Sequence, residues 1–177
     1  YFYNLLEEID VPGEYYIDRE TGRLYYYPVE NIESVQLTTL KDTMFAFSGC
    51  QYLNFKDFYL AYMRNGGMYL VDCKNMVLDG LDIYYTAKGA CVGTNCSDMI
   101  IKNCYFHDVN GGLDFSGGDR TTLTPGNIYV VNNHFYACDR VQKTYKSALT
   151  LNGCGNYAYF NELHEAQHLI TQISGNN

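Results

Sequence analysis

Acidic residues paired with histidine or arginine recur in the second half of the sequence. The pairs are His107–Asp108, Asp139–Arg140 and His164–Glu165, with His168 close behind the last. If the segments that carry them stack in register, Asp108, Asp139 and Glu165 lie near one another, about 5 Å apart for each step and about 10 Å over two. Two carboxylates about 5 Å apart suit a retaining glycosidase, and a separation of roughly 6.5–9.5 Å suits an inverting one, which needs room for water. Crowding also raises one carboxyl pKa, as a general acid requires. Alternatively, Arg140 neutralises its neighbours and the histidines only hydrogen-bond the turns.

A fourth candidate carboxylate lies in the segment LDFSG. Side chains alternate between the two faces of a strand, so Leu113 and Phe115 point inward and Asp114 points outward. Aligning similar segments predicts an outward column that runs Met68, Cys91, Asp114, Thr150 and Gln172. A strip that ends in acidic, hydroxyl and amide groups suits a sugar-binding groove, although exposed sheet faces are also commonly polar.

Two polar stretches interrupt the apolar segments. The first, GGDRTTLTPGN at residues 117–127, carries six inserted residues, and the second is CDRVQKTYKSA. We expect these loops to frame a cleft, since solenoids place binding insertions on one face. Their candidate substrate-binding residues are Asp119, Arg120, Arg140, Lys143 and Tyr145, beside His164 and His168. Arg and Lys could hold a carboxylated sugar and Tyr could stack on it; alternatively, an Asp119–Arg120 ion pair braces the first loop and the threonines cap its backbone.

A 23-residue repeat supplies the elements that position these residues. Cys50, Cys73 and Cys96 are evenly spaced, and their neighbourhoods align. The matched apolar columns are Leu53–Met76–Met99, Phe55–Leu78–Ile101 and Leu60–Ile83–Phe106. Units of this size with alternating strands and no helical periodicity indicate a solenoid whose parallel strands stack coil on coil. An antiparallel sandwich would instead repeat hairpin signals every ~8–12 residues.

One clear hairpin signal lies outside the repeat. The segment EYYIDRETGRLYYYP reads as two aromatic strands around an Arg-Glu-Thr-Gly turn. The sequence therefore predicts an all-β chain. Residues 1–43 form a lead-in segment with a β-hairpin, and residues 44–177 form a right-handed parallel β-helix of about five coils.

The composition argues against nucleic acid as a partner and against a membrane span. The net charge of −8 argues against nucleic acid, because phosphate binding needs clustered Lys and Arg. No apolar run reaches the ~18–20 residues of a membrane span. The seven cysteines show no CxxC and no zinc spacing, so we expect structural, mostly reduced thiols rather than disulfides, and no metal site.

Three segments carry a resemblance to a known family: LLEEIDVPGEYYIDRETGRLYYYP, SGGDRTTLTPGN and LNGCGNYAYFNELHEAQHLI. They resemble bacterial right-handed parallel β-helix proteins related to glycoside hydrolase family 141, within the pectate-lyase-like superfamily. The resemblance implies a fragment of a longer chain whose remainder continues the solenoid, with a polysaccharide or oligosaccharide as partner. It also implies a departure at Glu165, where many relatives have Asp, and a further acidic, Gly-rich stretch downstream, without which the carboxylate pair could be incomplete.

Three functions follow as hypotheses. A glycoside hydrolase would need no cofactor and would draw its carboxylate pair from Asp108, Asp114, Asp139 and Glu165. A polysaccharide lyase would need Ca²⁺ and a basic residue, Lys143 or Arg140, to take a proton beside a uronate carboxylate. A structural or glycan-binding solenoid would need neither. Polysaccharide degradation favours an extracellular or cell-surface location, whereas unpaired cysteines favour a reducing one, so the compartment stays open.

Overall fold

In a computed structural model of the chain, residues 4–177 are described and the chain divides into two compact units between Leu37 and Thr38. Among the residues described, no helix is long and apolar enough to cross a membrane.

The first unit contains a short 3-10 helix and one β-hairpin. The helix spans Leu6–Glu8, and strands β1 (Tyr15–Asp18) and β2 (Arg23–Tyr26) pair antiparallel. Gly22 closes the turn at a φ of 73°, which glycine adopts without steric cost, and its N–H donates to the Asp18 carbonyl at 2.8 Å. The hairpin predicted from the two aromatic strands is confirmed.

The second unit is a solenoid of parallel strands in three sheets, and each coil adds one strand to each sheet. Sheet I contains β3 (Phe45–Ser48), β6 (Met68–Val71), β9 (Cys91–Thr94), β12 (Leu113–Gly117), β15 (Ser147–Cys154) and β18 (Leu169–Asn176). Sheet II contains β4 (Asn54–Lys56), β7 (Lys74–Asp79), β10 (Ser97–Lys102), β13 (Ile128–Val131) and β16 (Tyr157–Tyr159). Sheet III contains β5 (Tyr59–Met63), β8 (Asp82–Thr86), β11 (Tyr105–Val109), β14 (His134–Tyr136) and β17 (Glu162–His164). The predicted parallel β-helix of about five coils is confirmed.

Inward side chains form ladders of like residues along the solenoid axis. Leu78 pairs with Phe55 and with Ile101, as the repeat predicted. In sheet III the inward ladder continues to Phe106 and Phe135, whose rings stack with centroids 5.0 Å apart and are fully buried. Each such aromatic removes a large apolar area from water, worth about 1.5–3 kcal/mol. The ladders therefore hold the coils in register.

The predicted column of Asp114 is wrong on its N-terminal side. Asp114 pairs with Val92, and Val92 with Tyr69, so Cys91 and Met68 belong to the adjacent, buried column of Leu113. The cause is Gly93, which stands at an inward position where the other coils have a large side chain. The Phe115 ring fills that space, since a Cβ on Gly93 would lie 2.4 Å from it. Because this coil lacks the large inward residue, the sequence alignment shifts its inward and outward positions by one residue.

The turns between sheets II and III form a regular corner, which we call the Asn corner. Its residues, all with φ between 53° and 66°, are Asp57, Gly80, Asn103, Asn132 and Phe160. Asn132 donates from Nδ2 to Asn103 Oδ1 at 2.8 Å, and Asn103 donates to Asp79 at 2.7 Å. Asn tolerates positive φ better than most residues and its amide both donates and accepts, so it suits a stacked left-handed corner.

Candidate active-site cleft

A second column of residues at positive φ lies at the C-terminal ends of the sheet III strands or directly after them, and we call it the cleft corner. Its members, all with φ between 48° and 60°, are Tyr62, Tyr85, Asp108, Ala137 and Glu165. The register of β11, β14 and β17 fixes Asp108, Ala137 and Glu165 in three successive coils. With about 4.8 Å per coil, the Cα atoms of Asp108 and Glu165 are roughly 10 Å apart. The small Ala137 side chain leaves the space between the two carboxylates open.

This space is part of an open cleft of about 390 Å³. That volume lies within the roughly 300–1,000 Å³ common for small-molecule sites. The lining residues are Asp108, Ala137, Cys138, Arg140, Lys143, Glu165, Ala166 and Gln167. Four residues predicted as site residues therefore come together: Asp108, Glu165, Arg140 and Lys143.

Asp108 is held in place by His107. The His107 Nδ1 lies 2.9 Å from Asp108 Oδ2, and since a carboxylate only accepts, Nδ1 carries the proton. The His107 ring stacks on Tyr84 with centroids 4.8 Å apart, and its Nε2 lies 3.2 Å from Asp82 Oδ1. His107 therefore orients the Asp108 carboxylate, and both residues lie within β11 rather than in a turn.

Glu165 is exposed at the other side of Ala137. Its negative charge, together with a side-chain hydrogen bond, raises the pKa of the neighbouring Tyr136 phenol. The carboxylate is therefore close to one phenol and faces solvent in the cleft. This leaves it free to contact a ligand, whereas Asp108 is half-buried and oriented by His107.

The loop between β14 and β15 supplies the positive wall of the cleft. The Arg140 guanidinium lies 4.9 Å from the centre of the Tyr85 ring, a cation–π contact that links the wall to the next aromatic residue of the corner. Arg140 forms no ion pair with any carboxylate in residues 4–177. It therefore does not neutralise its acidic neighbours through direct pairing.

Asp139 does not stack with Asp108 and Glu165, contrary to the sequence-based expectation. Ala137 holds that position, and Asp139 is fully buried two residues later, with neither carboxylate oxygen in a well-formed hydrogen bond. Burial raises the pKa of Asp139, and the nearby backbone amides of His168 and Gln167 lower it by less. The Asp139–Arg140 pair resembles the His107–Asp108 pair in sequence, but the register of β11 and β14 places Ala137 beside Asp108 and leaves Asp139 two residues further along.

The two long loops do not border the same cleft. The 117–127 loop borders a second cavity of about 320 Å³ between sheets I and II, where Asp119 is a lining residue. Asp119 accepts the Thr121 amide at 2.8 Å, and bonds to that amide and to the Thr122 hydroxyl lower its pKa. Arg120 is exposed and pairs with no acidic residue in the described part of the chain. The loop is thus braced by its threonines and not by an Asp119–Arg120 ion pair.

Asp114, Thr150 and Gln172 share the outer face of sheet I, as predicted. Asp114 reaches solvent, yet the protein around it raises its pKa by desolvation, and the charge of Lys146 lowers it in part. The Thr150 hydroxyl is buried and bonds to Ser147. Asp114 lies on a strand face and not among the lining residues of the cleft.

Tyr145 and His168 meet beside the cleft, but neither lines it. The Tyr145 amide donates to His168 Nδ1 at 3.4 Å, and the two rings are 5.5 Å apart. Tyr145 is 82% exposed. It could therefore contact a ligand longer than the cleft itself.

Sequence reasoning missed the outer face of sheet III. There His134 pairs with Glu162, and Tyr136 with His164. The segments GNIYVVNNHFYA and GNYAYFNELHEA, aligned at Gly126 and Gly155, place His134 opposite Leu163, one residue away from the register in the structure. The two-residue period of a strand brings His164 to the same face as Glu162.

Comparison with known proteins decides the family. Residues 21–163 match the family model described as right handed beta helix region. The chain belongs to the right-handed β-helix family. This β-helix region occurs in pectate-lyase-like carbohydrate-active proteins. Comparison with curated proteins and with solved structures gave no match, and the narrower resemblance to glycoside hydrolase family 141 is not supported.

Proposed function

We propose that this β-helix protein hydrolyses glycosidic bonds of a polysaccharide at the cleft corner. The observation that carries the proposal is the placement of Asp108 and Glu165 on either side of Ala137, two coils apart, in an open cleft. Both carboxylates project from the same rigid solenoid, with one coil between them. Such a scaffold holds catalytic groups at a fixed separation, as hydrolysis requires.

The separation favours inversion at the anomeric carbon. A roughly 10 Å spacing of Cα atoms accommodates side chains whose carboxyl groups lie ~6.5–9.5 Å apart, with a water molecule between one of them and the sugar. Adjacent coils would bring carboxylates closer, as a retaining enzyme needs, but Ala137 occupies the intervening coil.

The surroundings of the two carboxyl groups support a proposal for their roles. Asp108 accepts a hydrogen bond from His107 Nδ1, which orients its carboxylate, and it acts as the general base that takes a proton from water. The water oxygen bonds to the anomeric carbon as the glycosidic C–O bond breaks. Glu165, the second carboxyl group of the cleft, is the general acid: it must hold a proton when substrate is bound, and it gives that proton to the leaving oxygen.

The rest of the corner supports a chain-like substrate. Tyr62 and Tyr85 continue the column away from Asp108, so the corner runs about 19 Å from Tyr62 to Glu165 over four coil steps. Aromatic rings offer apolar faces to sugar rings, and their hydroxyls offer hydrogen bonds. Lys143 and Arg140 in the cleft favour acidic sugars.

The test is a hydrolysis screen with matched variants. The protein is incubated with neutral and uronate-containing polysaccharides, and new reducing ends are measured. We expect Asp108→Asn and Glu165→Gln each to lower kcat by about 10²–10⁴-fold, the usual contribution of a general acid or base. The control is Asp57→Asn, which neutralises an exposed carboxylate at the same backbone φ in the Asn corner.

The outcomes separate the hypotheses. Loss of activity in the two cleft variants, with Asp57→Asn within about twofold of the parent, supports the proposal. Equal activity in all variants would contradict it. Binding of a glycan without any product would also contradict it and would leave a glycan-binding solenoid.

Lys143 favours a second candidate, a polysaccharide lyase. Its amine lines the cleft with the carboxylates and could remove the proton beside a uronate carboxylate, with Ca²⁺ held by acidic side chains. A lyase leaves an unsaturated sugar that absorbs ultraviolet light, whereas hydrolysis does not. Ultraviolet absorbance that depends on Ca²⁺ and disappears in Lys143→Ala would replace the hydrolase proposal with this one.

A further inference from the structure

The outer face of sheet III contains a cluster of three metal-ligating side chains outside the cleft. They are His134, Glu162 and His164, and their ligand atoms all lie within 4.8 Å of one another. Two imidazoles and one carboxylate form a donor set that Zn²⁺ commonly uses with a fourth, open position. None of the three belongs to the cleft corner.

The parallel register of two strands brings the three residues together. His134 on β14 lies directly opposite Glu162 on β17. His164 follows Glu162 by two residues and so points to the same face. Adjacent strands are about 4.8 Å apart, which is close enough for side chains on both to contact one ion. The strand register therefore places the three donor side chains close together without an ion.

The contacts between the two imidazoles point to a shared ion. The Nε2 atoms of His134 and His164 are 2.7 Å apart, and Glu162 Oε1 is 3.8 Å from His164 Nε2. Two ring nitrogens at this distance face each other, and each also presents a lone pair when its proton is on Nδ1. Tetrahedral Zn²⁺ at 2.0–2.1 Å from each would require an N–N distance of about 3.3 Å. The two nitrogens must therefore move apart by about 0.6 Å for both to bind one ion.

Aromatic neighbours restrict the two rings while leaving the site open. His134 stacks on Tyr105 with centroids 4.6 Å apart, and His164 lies 5.0 Å from the Tyr136 ring. The His164 side chain is 42% exposed and that of Glu162 is 73% exposed. An ion can therefore enter from solvent, and water can complete its coordination.

We propose that His134, Glu162 and His164 bind one divalent transition-metal ion, with Zn²⁺ as the best match. Nitrogen donors suit Zn²⁺, Ni²⁺ and Cu²⁺, whereas Ca²⁺ takes six to eight oxygen ligands and is a poor match. The site is separate from the carboxylate pair of the cleft, and the proposal does not depend on hydrolysis.

The test is calorimetric titration of chelator-treated protein with ZnCl₂, with CaCl₂ as the ligand-class control. We expect one Zn²⁺ per chain, no Ca²⁺ binding in the same range, and at least a tenfold weaker Zn²⁺ affinity in His134→Gln and in His164→Gln. The matched control is His168→Gln, which removes a histidine outside the cluster and leaves Zn²⁺ affinity within twofold.

Thermal melting with and without Zn²⁺ distinguishes a folded variant that does not bind the ion from a variant that does not fold. Zn²⁺ is expected to raise the Tm of the parent and of His168→Gln, and to leave the Tm of the folded His134→Gln–His164→Gln double variant unchanged. Co²⁺ in place of Zn²⁺ should give the intense visible absorption of a tetrahedral site. The absence of Zn²⁺ binding, or binding that only the His168 variant weakens, would overturn the proposal.

Discussion

The Asn corner and the cleft corner have the same backbone and opposite side-chain chemistry. Both hold five stacked residues at positive φ, one for each coil. At the Asn corner, Asn132, Asn103 and Asp79 are linked by amide hydrogen bonds of 2.7–2.8 Å. At the cleft corner, Ala137 separates Asp108 from Glu165, and no hydrogen bond joins these three side chains.

The comparison shows that a β-helix corner requires residues at positive φ but does not require a ladder of hydrogen-bonded side chains. A non-glycine residue in the left-handed region costs of order 1–2 kcal/mol, and Asn reduces this cost through local hydrogen bonds. Tyr85, Ala137 and Glu165 gain no such compensation from a side-chain ladder, so this corner is the more strained one. Strain of this kind concentrates at functional sites, which agrees with the proposed role of the cleft.

The largest effect is expected on the inner side of the Asn corner. Asn133 is buried, accepts the Cys104 amide at 2.9 Å and donates to the Ile101 carbonyl at 3.0 Å. Asn133→Ala leaves both backbone groups unsatisfied and should lower the free energy of unfolding by about 2–4 kcal/mol. Urea unfolding measures this free energy. Glu165→Ala leaves no buried group without a hydrogen-bond partner, so its free energy of unfolding should stay within about 0.5 kcal/mol of the parent value. Equal losses of stability in the two variants would contradict the contrast between the two corners.

A reciprocal exchange between the corners should have an intermediate effect. Ala137→Asn would place an amide between Asp108 and Glu165, and it should raise the free energy of unfolding by about 1 kcal/mol through new hydrogen bonds. It should also lower hydrolysis at least tenfold, because the space for water is filled. Asn132→Ala should lower the free energy of unfolding by about 1 kcal/mol and leave the rate of hydrolysis unchanged. Hydrolysis by Ala137→Asn at the parent rate would show that the open space is not required.

The smallest effect is expected from Asp139→Asn. Burial raises the pKa of Asp139 in the folded protein above its ordinary 3.8, so the folded state binds the proton more tightly than the unfolded state does. The charged form therefore costs stability at pH 7, and this cost disappears as the pH falls through the raised pKa towards 3.8. The variant should have a Tm a few degrees above the parent at pH 7 and the same Tm at pH 3.5. Thermal melts over this pH range measure the difference. A lower Tm for the variant at pH 7 would mean that the Gln167 and His168 amides stabilise the carboxylate.

The sequence predicted those columns of residues that recur once in every coil of the repeat. The columns of Leu78 and Ile83 were correct because their neighbours in adjacent coils are large and apolar, so the alignment is unambiguous. The meeting of Asp108 with Glu165 followed from the same alignment. Asp114 with Thr150 also followed, because both strands carry an uninterrupted alternation.

The errors arose where the period is broken. Gly93 removes a core side chain and hides the phase of its strand, so the column of Asp114 was extended to Cys91 instead of Val92. Asp139 lies two residues beyond Ala137, which the register of β11 and β14 places beside Asp108, so the similar sequence pairs do not occupy equivalent positions. Exposed polar columns such as His134 and Glu162 carry no apolar signal, so only the register derived from the core could reveal them.

The most direct measurement of the central claim is the anomeric configuration of the first product, followed by proton nuclear magnetic resonance during digestion of a cleaved polysaccharide. The roughly two-coil separation of Asp108 and Glu165 predicts an inverted anomer, formed by the parent and by Asp57→Asn but not by Asp108→Asn or Glu165→Gln. A retained anomer would require carboxylates on adjacent coils or a different pair. Retention, or the absence of any product, would contradict the assignment of catalysis to the cleft corner.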